Sequence, residues 1–471
     1  MTTECLTAES DEPDIMTVKD SPVAGKKVSV IGAARSGVAV AELLARLGAQ
    51  VFVSDSAAPD KLMSATSRLA AAGIPYETGG HTDRALGAEL LVVSPGVPSS
   101  AEIIRMARNR GIEVISEIEL ASLVCRAPII AVTGTNGKTT TTTLLGRMLT
   151  DAHKHAVVAG NIGTAFSGVV EGLEESAVAV LEVSSFQLDD IRTFHPAISV
   201  ILNITPDHLD RYDHSFEKYI ASKCRVFENQ TMADYLIYNV DDPAARQAAE
   251  RYARPHVRLV PFGLRRSGEE GAYVENGYLS TSLGGHTAGV VETSGISIRG
   301  THNLYNAMAA TLAGQIAGAG IASLRATLRN FKGVEHRLEF VRELGGVQYI
   351  NDSKATNVDA VWYALQSFTR PLVLLLGGRD KGNDYGRLQP LVKEHVRSIV
   401  AIGESAPKVA GAFSAICPVT VARSMPEAVQ TAATQAREGD IVLLSPACAS
   451  FDWFENYEHR GRVFKDLVSK L

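Results

Sequence analysis

The chain has 471 residues, and its 46 basic and 52 acidic side chains give it a net charge of −6. This length suggests about three domains. A composition of 45% hydrophobic and 21% charged residues excludes low-complexity and wholly disordered classes. The net negative charge argues against a general nucleic-acid or anionic-membrane binder. We find no apolar run of the roughly 18–20 residues that a membrane span requires and no secretory signal, so we expect a cytoplasmic protein.

The cysteines support the same compartment. Five of them are scattered along the chain without a CxxC pair: Cys5, Cys125, Cys224, Cys417 and Cys448. We therefore expect neither a zinc site nor a disulfide framework, and a reducing environment fits.

The chain changes character near residue 26. Residues 1–25 are acidic and lack apolar periodicity, which predicts a flexible N-terminal tail. Short β-branched runs then alternate with helical stretches, beginning with VSVIG, VAVAELLARLG and VFVSD. This alternation predicts parallel sheets covered on both faces. We expect three α/β units over residues 26–127, 128–335 and 336–471, with a small antiparallel patch within 263–300.

The first strand leads into a glycine turn. Gly32 and Gly37 frame this turn, Ala34 replaces the middle glycine of the dinucleotide fingerprint, and Asp55 ends the next strand. The methyl group of Ala34 hinders close approach of a pyrophosphate, although the following helix still offers free N–H groups to an anion. The turn is compatible with an NAD site, with another nucleotide-diphosphate site or with a purely structural role.

A second glycine loop has the chemistry of a phosphate site. Strand IIAVTG runs into a loop and a helix that supply the candidate ATP contacts Gly134, Thr135, Asn136, Gly137, Lys138, Thr139 and Thr140. The glycines expose backbone N–H groups to phosphate oxygens, Lys138 can reach the outer phosphates, and Thr139 can ligate Mg²⁺. The strict eight-residue pattern fails, because Val132 stands where it requires a glycine.

Further along the chain, Glu182 ends a strand and His208 follows another. Both are candidate ligands for a hard cation near ATP, although histidine is a poor first choice for Mg²⁺. The alternatives are a strand-end cap for Glu182 and a loop hydrogen bond for His208.

TGTNGKTT resembles the ATP loop of the Mur ligase superfamily, which includes folylpolyglutamate synthases. NDSKATN, GGRDKG and SPACASFDWF are similar to the members that add D-glutamate, and the DNPR sequence of the diamino-acid-adding members is absent. The resemblance implies an N-terminal Rossmann-like parallel sheet that binds a UDP-linked substrate, a central P-loop-type ATPase sheet and a C-terminal Rossmann-like α/β domain that binds the amino acid.

The resemblance also implies a reaction. ATP, with two Mg²⁺ ions (or Mn²⁺), phosphorylates UDP-N-acetylmuramoyl-L-alanine, and D-glutamate attacks the acyl phosphate to give an amide, ADP and phosphate. This reaction belongs to peptidoglycan synthesis, and we expect a monomer that binds no nucleic acid.

The roles carried over from the family fall on matching positions of this chain. The resemblance implies that the catalytic residues are Lys138, His208, Lys223, Arg337 and Lys354. ATP would contact the phosphate loop together with Asn303, Asn306, Arg337 and Asp352. The UDP-linked substrate would contact Arg35, Ser36, Asp55, Ser56, Gly96, Asn161 and Gln187. D-Glutamate would contact Thr356, Lys381, Ser450 and Tyr457. The metal ligands would be Thr139, Glu182, His208 and a carbamylated Lys223.

The sequence leaves the role of His208, the effect of Tyr457 and two alternative functions open. His208 is either a metal ligand or a proton acceptor, and Tyr457 replaces the phenylalanine that is usual in the family. The alternative functions are another Mur-type or folylpolyglutamate-type amino-acid ligase, or an NAD(P)-binding redox or regulatory protein based on Gly32–Gly37 and Asp55. A nucleophilic role for Cys448 is disfavoured, because its motif brings no histidine partner.

Overall fold

The computed structural model describes residues 21–161, 163–380 and 382–471. They form two compact units. The first consists of the described residues up to Pro128 with Ala159–Ser176 and Ser184–His195, and the second of Ile129–Val158, Ala177–Val183 and Pro196–Leu471. The mixed α/β fold with three sheets is confirmed, whereas the domain boundaries at 127 and 335 stay predictions. Residues 1–20 of the expected tail lie outside the described residues, and Val23 is buried.

The first unit is built on a five-stranded parallel sheet with the order β3-β2-β1-β4-β5. Its strands are β1 (Lys27–Ile31), β2 (Gln50–Asp55), β3 (Tyr76–Thr78), β4 (Leu90–Val93) and β5 (Glu113–Ser116). Its helices are α1 (Arg35–Arg46), α2 (Met63–Ala71), α3 (Glu102–Asn109) and α4 (Glu117–Ser122). All four residues of β4 are buried, as expected for a central parallel strand.

The second unit begins with a nine-stranded sheet with the order β14-β13-β12-β11-β10-β9-β6-β8-β7. Its strands are β6 (Ile129–Thr133), β7 (Ala156–Gly160), β8 (Val178–Glu182), β9 (Ile198–Ile201), β10 (Tyr235–Asn239), β11 (Arg258–Phe262), β12 (Gly271–Glu275), β13 (Tyr278–Leu283) and β14 (His286–Glu292). The helices of this stretch are α5 (Lys138–Asp151), α6 (Ser185–Leu188), α7 (Phe216–Cys224), α8 (Pro243–Tyr252), α9 (Thr301–Ile316) and α10 (Ile321–Asn330). Of these elements, α6 and the last two residues of β7, Ala159 and Gly160, belong to the first unit.

The antiparallel patch expected within residues 263–300 is confirmed by β12, β13 and β14. The turn between β12 and β13 is Asn276–Gly277, and both residues have positive φ angles, 51° and 79°. This is the combination that two-residue hairpins require.

A third sheet, also in the second unit, has the order β15-β16-β20-β17-β18-β19. Its strands are β15 (Glu339–Leu344), β16 (Val347–Asn351), β17 (Leu372–Gly377), β18 (Val396–Ile402), β19 (Val419–Val421) and β20 (Ile441–Leu444). Its helices are α11 (Val358–Gln366), α12 (Gln389–His395), α13 (Ala406–Phe413), α14 (Met425–Gln435) and α15 (Tyr457–Ser469). The strands β16, β20 and β17 are parallel neighbours, so the three motifs that follow them start at one edge of the sheet.

Two buried glutamates explain why later segments pack with the first unit. The carboxylate of Glu119 accepts hydrogen bonds from the backbone N–H groups of Arg192, Thr193 and Phe194 at 2.8–2.9 Å. Glu117 accepts one from the Ser167 N–H at 2.7 Å. Both side chains are buried, so each needs such donors to offset its desolvation.

No helix within the described residues is long and apolar enough to cross a membrane.

Candidate active site

The phosphate loop joins β6 to α5 and is fixed by the loop after β9. Gly134 and Gly137 have φ angles of 151° and 86°. A Cβ on Gly137 would lie 2.3 Å from the Asn306 side-chain oxygen, so only glycine fits there. Asn203 accepts a hydrogen bond from the Asn136 N–H at 2.9 Å and returns one to the Asn136 carbonyl at 3.0 Å. The loop is therefore held in one shape before any ligand contacts it.

Two lysine side chains meet at this loop. Lys138 Nζ donates to the carbonyl oxygens of Gly134 and Thr135 at 2.8 and 2.7 Å. Lys223 Nζ, at the end of α7, donates to the same Gly134 oxygen at 2.9 Å and lies 4.6 Å from the centre of the Tyr219 ring. Burial lowers the pKa of Lys138, an effect that Glu182 and Asp207 oppose and Arg337 reinforces. The site is thus rich in buried positive charge.

Oxygen ligands stand beside this charge. Thr139 Oγ1 donates to Glu182 Oε2 at 2.7 Å, and both side chains are buried. His208 follows β9 with a left-handed backbone (φ 52°), and its side chain is 40% exposed. Its N–H donates to Asp207 Oδ1 at 2.9 Å, and its imidazole Nε2 lies 3.9 Å from Asp207 Oδ2. The structure thus brings Thr139 and Glu182 into direct contact, whereas the imidazole of His208 lies beside its own neighbour.

A cavity of about 320 Å³ extends from the end of the phosphate loop. Five of the sequence-predicted ATP contacts line it: Asn136, Gly137, Asn306, Arg337 and Asp352. Sequence reasoning did not single out the other polar and aromatic lining residues Asn203, Thr205, Asn239, Asp241, Asp242, His302, Tyr305, Tyr363 and Arg387. Asn203 follows β9, and the position after a parallel strand is the signal that could have identified it.

The aromatic lining is uncharged. Burial, reinforced by Arg337, lowers the pKa of His302 to about 3. Its neutral ring lies 5.5 Å from that of Tyr363, centre to centre. Asn303 and Asn306, both on α9, are hydrogen-bonded to each other at 3.1 Å, and Asn303 also donates to the Arg299 carbonyl at 2.8 Å. Asn303 thus ties Asn306 to the start of this helix.

Asp352 connects the segment after α10 to the third sheet. Its carboxylate accepts hydrogen bonds from the Leu338 N–H at 3.2 Å and the Ser445 hydroxyl at 2.8 Å. Burial raises the pKa of Asp352 to about 6, against the opposing effects of Arg337, these hydrogen bonds and Arg460. This carboxylate therefore lies between Arg337, at the segment's end, and the strands that carry the amino-acid motifs.

Two of the three motifs of the third sheet, NDSKATN and SPACAS, are held together by one buried arginine, which sequence reasoning did not identify. Arg460 donates to the Ser353 side chain and carbonyl at 3.0 and 2.7 Å and to the Cys448 carbonyl at 3.1 Å. Burial lowers the pKa of Arg460 to about 10. Lys354 follows Ser353 in the chain, and its Nζ lies 3.3 Å from the hydroxyl of Tyr457. Burial lowers the pKa of Lys354 to about 8.

The other candidate D-glutamate contacts lie on the same motifs. Ser450 is buried, and its carbonyl accepts a hydrogen bond from the Phe454 N–H at 2.9 Å. Thr356 is half-buried, just before α11. Lys381 lies outside the described residues.

Among the candidate substrate contacts of the first unit, Asp55 is joined directly to the first glycine turn. Asp55 accepts hydrogen bonds from the N–H groups of Ala33 at 2.6 Å and Ala57 at 2.7 Å. A Cβ on Gly37 would lie 1.8 Å from the Gly32 carbonyl, so the helix packs closely on the turn. Arg35, Ser56, Gly96 and Asn161 are exposed, and Ser36 is half-buried.

Gln187 is the buried member of this set. Its side-chain oxygen accepts a hydrogen bond from the Ser184 N–H at 3.0 Å, within a capping box at the start of α6. Its Nε2 is buried without a partner among the described residues, as is Glu117 Oε2. Both side chains line one small cavity. The helix-capping interaction of Gln187 therefore leaves its amide nitrogen available to a ligand.

Comparisons with known proteins cover most of the chain. Three family models match it: the Mur ligase MurD-like N-terminal domain over residues 26–116, the Mur ligase middle domain over 132–314 and the glutamate ligase domain of Mur ligases over 336–448. A UDP-N-acetylmuramoylalanine–D-glutamate ligase of Chloroherpeton thalassium is 48% identical over 463 residues, which covers 95% of this chain and 99% of the relative. A ligase of the same name from Salinibacter ruber is 48% identical, with 94% and 98% covered.

Solved structures show the same fold at lower identity. UDP-N-acetylmuramate–alanine ligase of Thermotoga maritima has a TM-score of 0.60 at 18% identity and covers 94% of this chain and 99% of its own. A pseudomurein peptide ligase of type C from Methanothermus fervidus has a TM-score of 0.59 at 20% identity, with 95% and 100% covered. The family models and the relatives agree with the phosphate loop and the third-sheet motifs: the chain belongs to the Mur ligase family.

Proposed function

We propose that this protein is an ATP-dependent ligase that adds D-glutamate to UDP-N-acetylmuramoyl-L-alanine through an acyl phosphate, releasing ADP and phosphate. The observation that carries the proposal is the phosphate loop, where Lys138 and Lys223 share the Gly134 carbonyl beside the Thr139–Glu182 pair. The names of the relatives that match almost the whole chain support the choice of substrates. A cytoplasmic location and a monomeric state remain predictions.

ATP would bind with its phosphates on the loop and its base in the 320 Å³ cavity. The Thr140 hydroxyl and the Asn136 amide nitrogen are buried without partners among the described residues. Buried donors of this kind normally have an acceptor, and phosphate oxygens would supply one. Asp352 would hold the ribose, and Asn306 would contact the adenine.

The donor set fits a hard divalent cation in part. Thr139 and Glu182 offer buried oxygens, which Mg²⁺ prefers. An ammonium at Lys223 does not fit a cation site, whereas carbamylation by CO₂ would replace its positive charge with two oxygens. His208 would complete the set. Bound there, the cation would neutralise phosphate charge, and the number of ions and the choice between Mg²⁺ and Mn²⁺ belong to the proposal.

The reaction needs ATP because a carboxylate resists attack by an amine. The alanyl carboxylate attacks the γ-phosphate, and Lys138 and Arg337 spread the negative charge that develops on the phosphoryl oxygens. The amine of D-glutamate then attacks the carbonyl carbon of the acyl phosphate, and phosphate leaves from the tetrahedral intermediate. Lys354 would stabilise the acyl phosphate until this attack, and His208 is the candidate acceptor of the amine proton if it is not a ligand.

The two substrates would use separate parts of the chain. In the first unit, Arg35, Ser36, Asp55, Ser56 and Gly96 are candidates for the uridine diphosphate, and Asn161 and Gln187 for the muramoyl-alanine arm. In the third-sheet region, Thr356, Lys381, Ser450 and Tyr457 are candidates for D-glutamate. Because the carboxylate of Asp55 already accepts two backbone N–H groups, it would reach a ligand only with its remaining lone pairs.

The test is phosphate release by the purified protein with ATP, Mg²⁺ and UDP-N-acetylmuramoyl-L-alanine. Release should depend on D-glutamate and match the amide product mole for mole. Turnover with L-glutamate or L-alanine, but not D-glutamate, would instead identify another amino-acid ligase. Lys138→Met should lower kcat about 10²- to 10⁴-fold, which corresponds to a loss of roughly 3–6 kcal/mol of transition-state stabilisation. Lys393→Met, on the exposed face of α12, should match the unsubstituted protein.

A further inference from the structure

Tyr457 is hydrogen-bonded to the Ser353–Lys354 pair through both its backbone carbonyl and its side-chain hydroxyl. It is the first residue of α15, whose N-cap is Asn456. Its carbonyl oxygen accepts a hydrogen bond from the Ser353 hydroxyl at 2.8 Å, and its own hydroxyl accepts one from Lys354 Nζ at 3.3 Å. The same Nζ lies 5.2 Å from the centre of the Tyr457 ring. The ammonium is therefore near the rim of the ring, within reach of both the π system and the hydroxyl.

The slot that holds this ring is built from neighbouring residues. The His336 ring packs edge-on against Tyr457, with 6.2 Å between ring centres. The His336 carbonyl accepts a hydrogen bond from the Lys354 N–H at 3.0 Å, so Tyr457 and Lys354 share one support. One turn along α15, a Cβ on Gly461 would lie 2.2 Å from the His336 imidazole, so a glycine is required there. The His336 ring that packs against Tyr457 is thus itself held in place by the close approach of Gly461.

Lys354 depends on such a support. A lysine side chain is a flexible stem that carries a point charge, and it loses its position unless a partner fixes it. Within the described residues, the tyrosine hydroxyl is the one side-chain partner within hydrogen-bond distance of this ammonium. The charges of Glu182, Arg337, Lys138 and Glu458 act on Lys354 from farther away, with mixed signs.

We propose that the Tyr457 hydroxyl is a positioning group that holds the Lys354 ammonium in place for the phosphorylated carboxyl group. The inference rests on the proposed function, because Lys354 acts there on the acyl phosphate. It gives the hydroxyl a role distinct from direct contact with D-glutamate, which the ring alone could provide. A phenylalanine at this position would keep the ring and its packing but would release the lysine.

Tyr457→Phe tests the proposal without disturbing the slot. We expect kcat to fall about three- to ten-fold, with the KM values for ATP and D-glutamate changed less than two-fold and the melting temperature unchanged. In a Lys354→Arg background, where the cation is already displaced, the same substitution should change kcat less than two-fold. Tyr252→Phe, which removes the hydroxyl of an exposed ring at the end of α8, is the matched control and should equal the unsubstituted protein.

The other outcomes separate the two proposals. An unchanged kcat in Tyr457→Phe, with the unsubstituted protein active, would overturn the positioning role alone. A higher KM for D-glutamate at unchanged kcat would overturn it too, because the hydroxyl would then bind the amino acid directly. If the unsubstituted protein released no D-glutamate-dependent phosphate, the proposed function would fail instead.

Discussion

Lys138 and Lys223 donate hydrogen bonds to the same backbone oxygen, that of Gly134, at 2.8 and 2.9 Å. Two ammonium groups that share one carbonyl repel each other strongly in a buried site. Lys138 is suited to phosphate, so Lys223 is the member of the pair whose charge is expected to change. Carbamylation would convert the repulsion into an attraction and would place oxygens near Glu182.

We therefore expect Lys223→Ala to lose about 10³-fold in kcat, roughly 4 kcal/mol. Formate or acetate should restore part of the activity by replacing the missing carboxylate-like group. Lys218→Ala is the matched control, because Lys218 lies on the same helix, is exposed and pairs with Asp213. The measurement is phosphate release by Lys223→Ala with and without the short acids. Full activity of this variant without added acid would contradict a carbamylated Lys223.

Arg460 leads to a prediction about stability. Its guanidinium donates to three main-chain carbonyls and one hydroxyl, all in the buried junction of the NDSKATN and SPACAS motifs. Arg460→Met removes this donor from the Ser353 and Cys448 carbonyls, which we expect to cost about 3–5 kcal/mol and several degrees of melting temperature. The KM for D-glutamate should also rise, because Lys354 and Ser450 lie on the loops that Arg460 holds.

The matched control for Arg460 is on the same helix. Arg462 is exposed, and Arg462→Met should change neither the melting temperature nor the KM. Equal melting curves for the two variants would show that Arg460 does not hold the junction.

The fold was largely predictable from the sequence, because parallel strands and turns leave local patterns. β4 reads as a continuous apolar run, and the phosphate loop as glycines followed by Lys138. The Asn276–Gly277 hairpin also has a local signal, because an NG pair between two β-type segments favours a two-residue turn.

The rest of the site depends on long-range contacts that no local pattern carries. Glu119 binds the N–H groups of Arg192, Thr193 and Phe194, and this pairing adds a later segment to the first unit. Tyr363 lines the cavity at the end of the phosphate loop, although it lies on α11, outside the motifs recognised in the sequence. Such positions follow from the packing of the sheets and become visible only in three dimensions.

Asp352 should make stability depend on pH in an unusual direction. Burial raises its pKa from 3.8 to about 6, so the folded protein binds the proton more tightly than the unfolded chain does. The free energy of unfolding should therefore fall as the pH rises from about 4 to about 6 and should not recover above that range.

Asp352→Asn removes the free-energy cost of burying an ionised carboxylate, and the amide oxygen can still accept the hydrogen bond from the Leu338 N–H. We expect the variant to be more stable than the unsubstituted protein at pH 7–8, by up to about 3 kcal/mol, and similar to it at pH 4. Its KM for ATP should rise about ten-fold if the carboxylate holds the ribose. Thermal unfolding at the two pH values checks the sign, and an Asp352→Asn protein that is less stable at pH 8 would contradict it.

Tyr363 and His302 predict how the base of the nucleotide is chosen. Their neutral rings, 5.5 Å apart, line the cavity together with the acceptors Asn239, Asp241 and Asp242. An adenine amine would donate to such acceptors, whereas the carbonyl of guanine would oppose them. Base stacking on an aromatic side chain contributes about 1–3 kcal/mol. Tyr363→Ala should therefore raise the KM for ATP about ten-fold or more at a nearly constant kcat, and Tyr363→Phe should retain the original KM. GTP should support little turnover in the unsubstituted protein and in both Tyr363 variants. An unchanged KM for ATP in Tyr363→Ala would show that the base does not bind beside Tyr363.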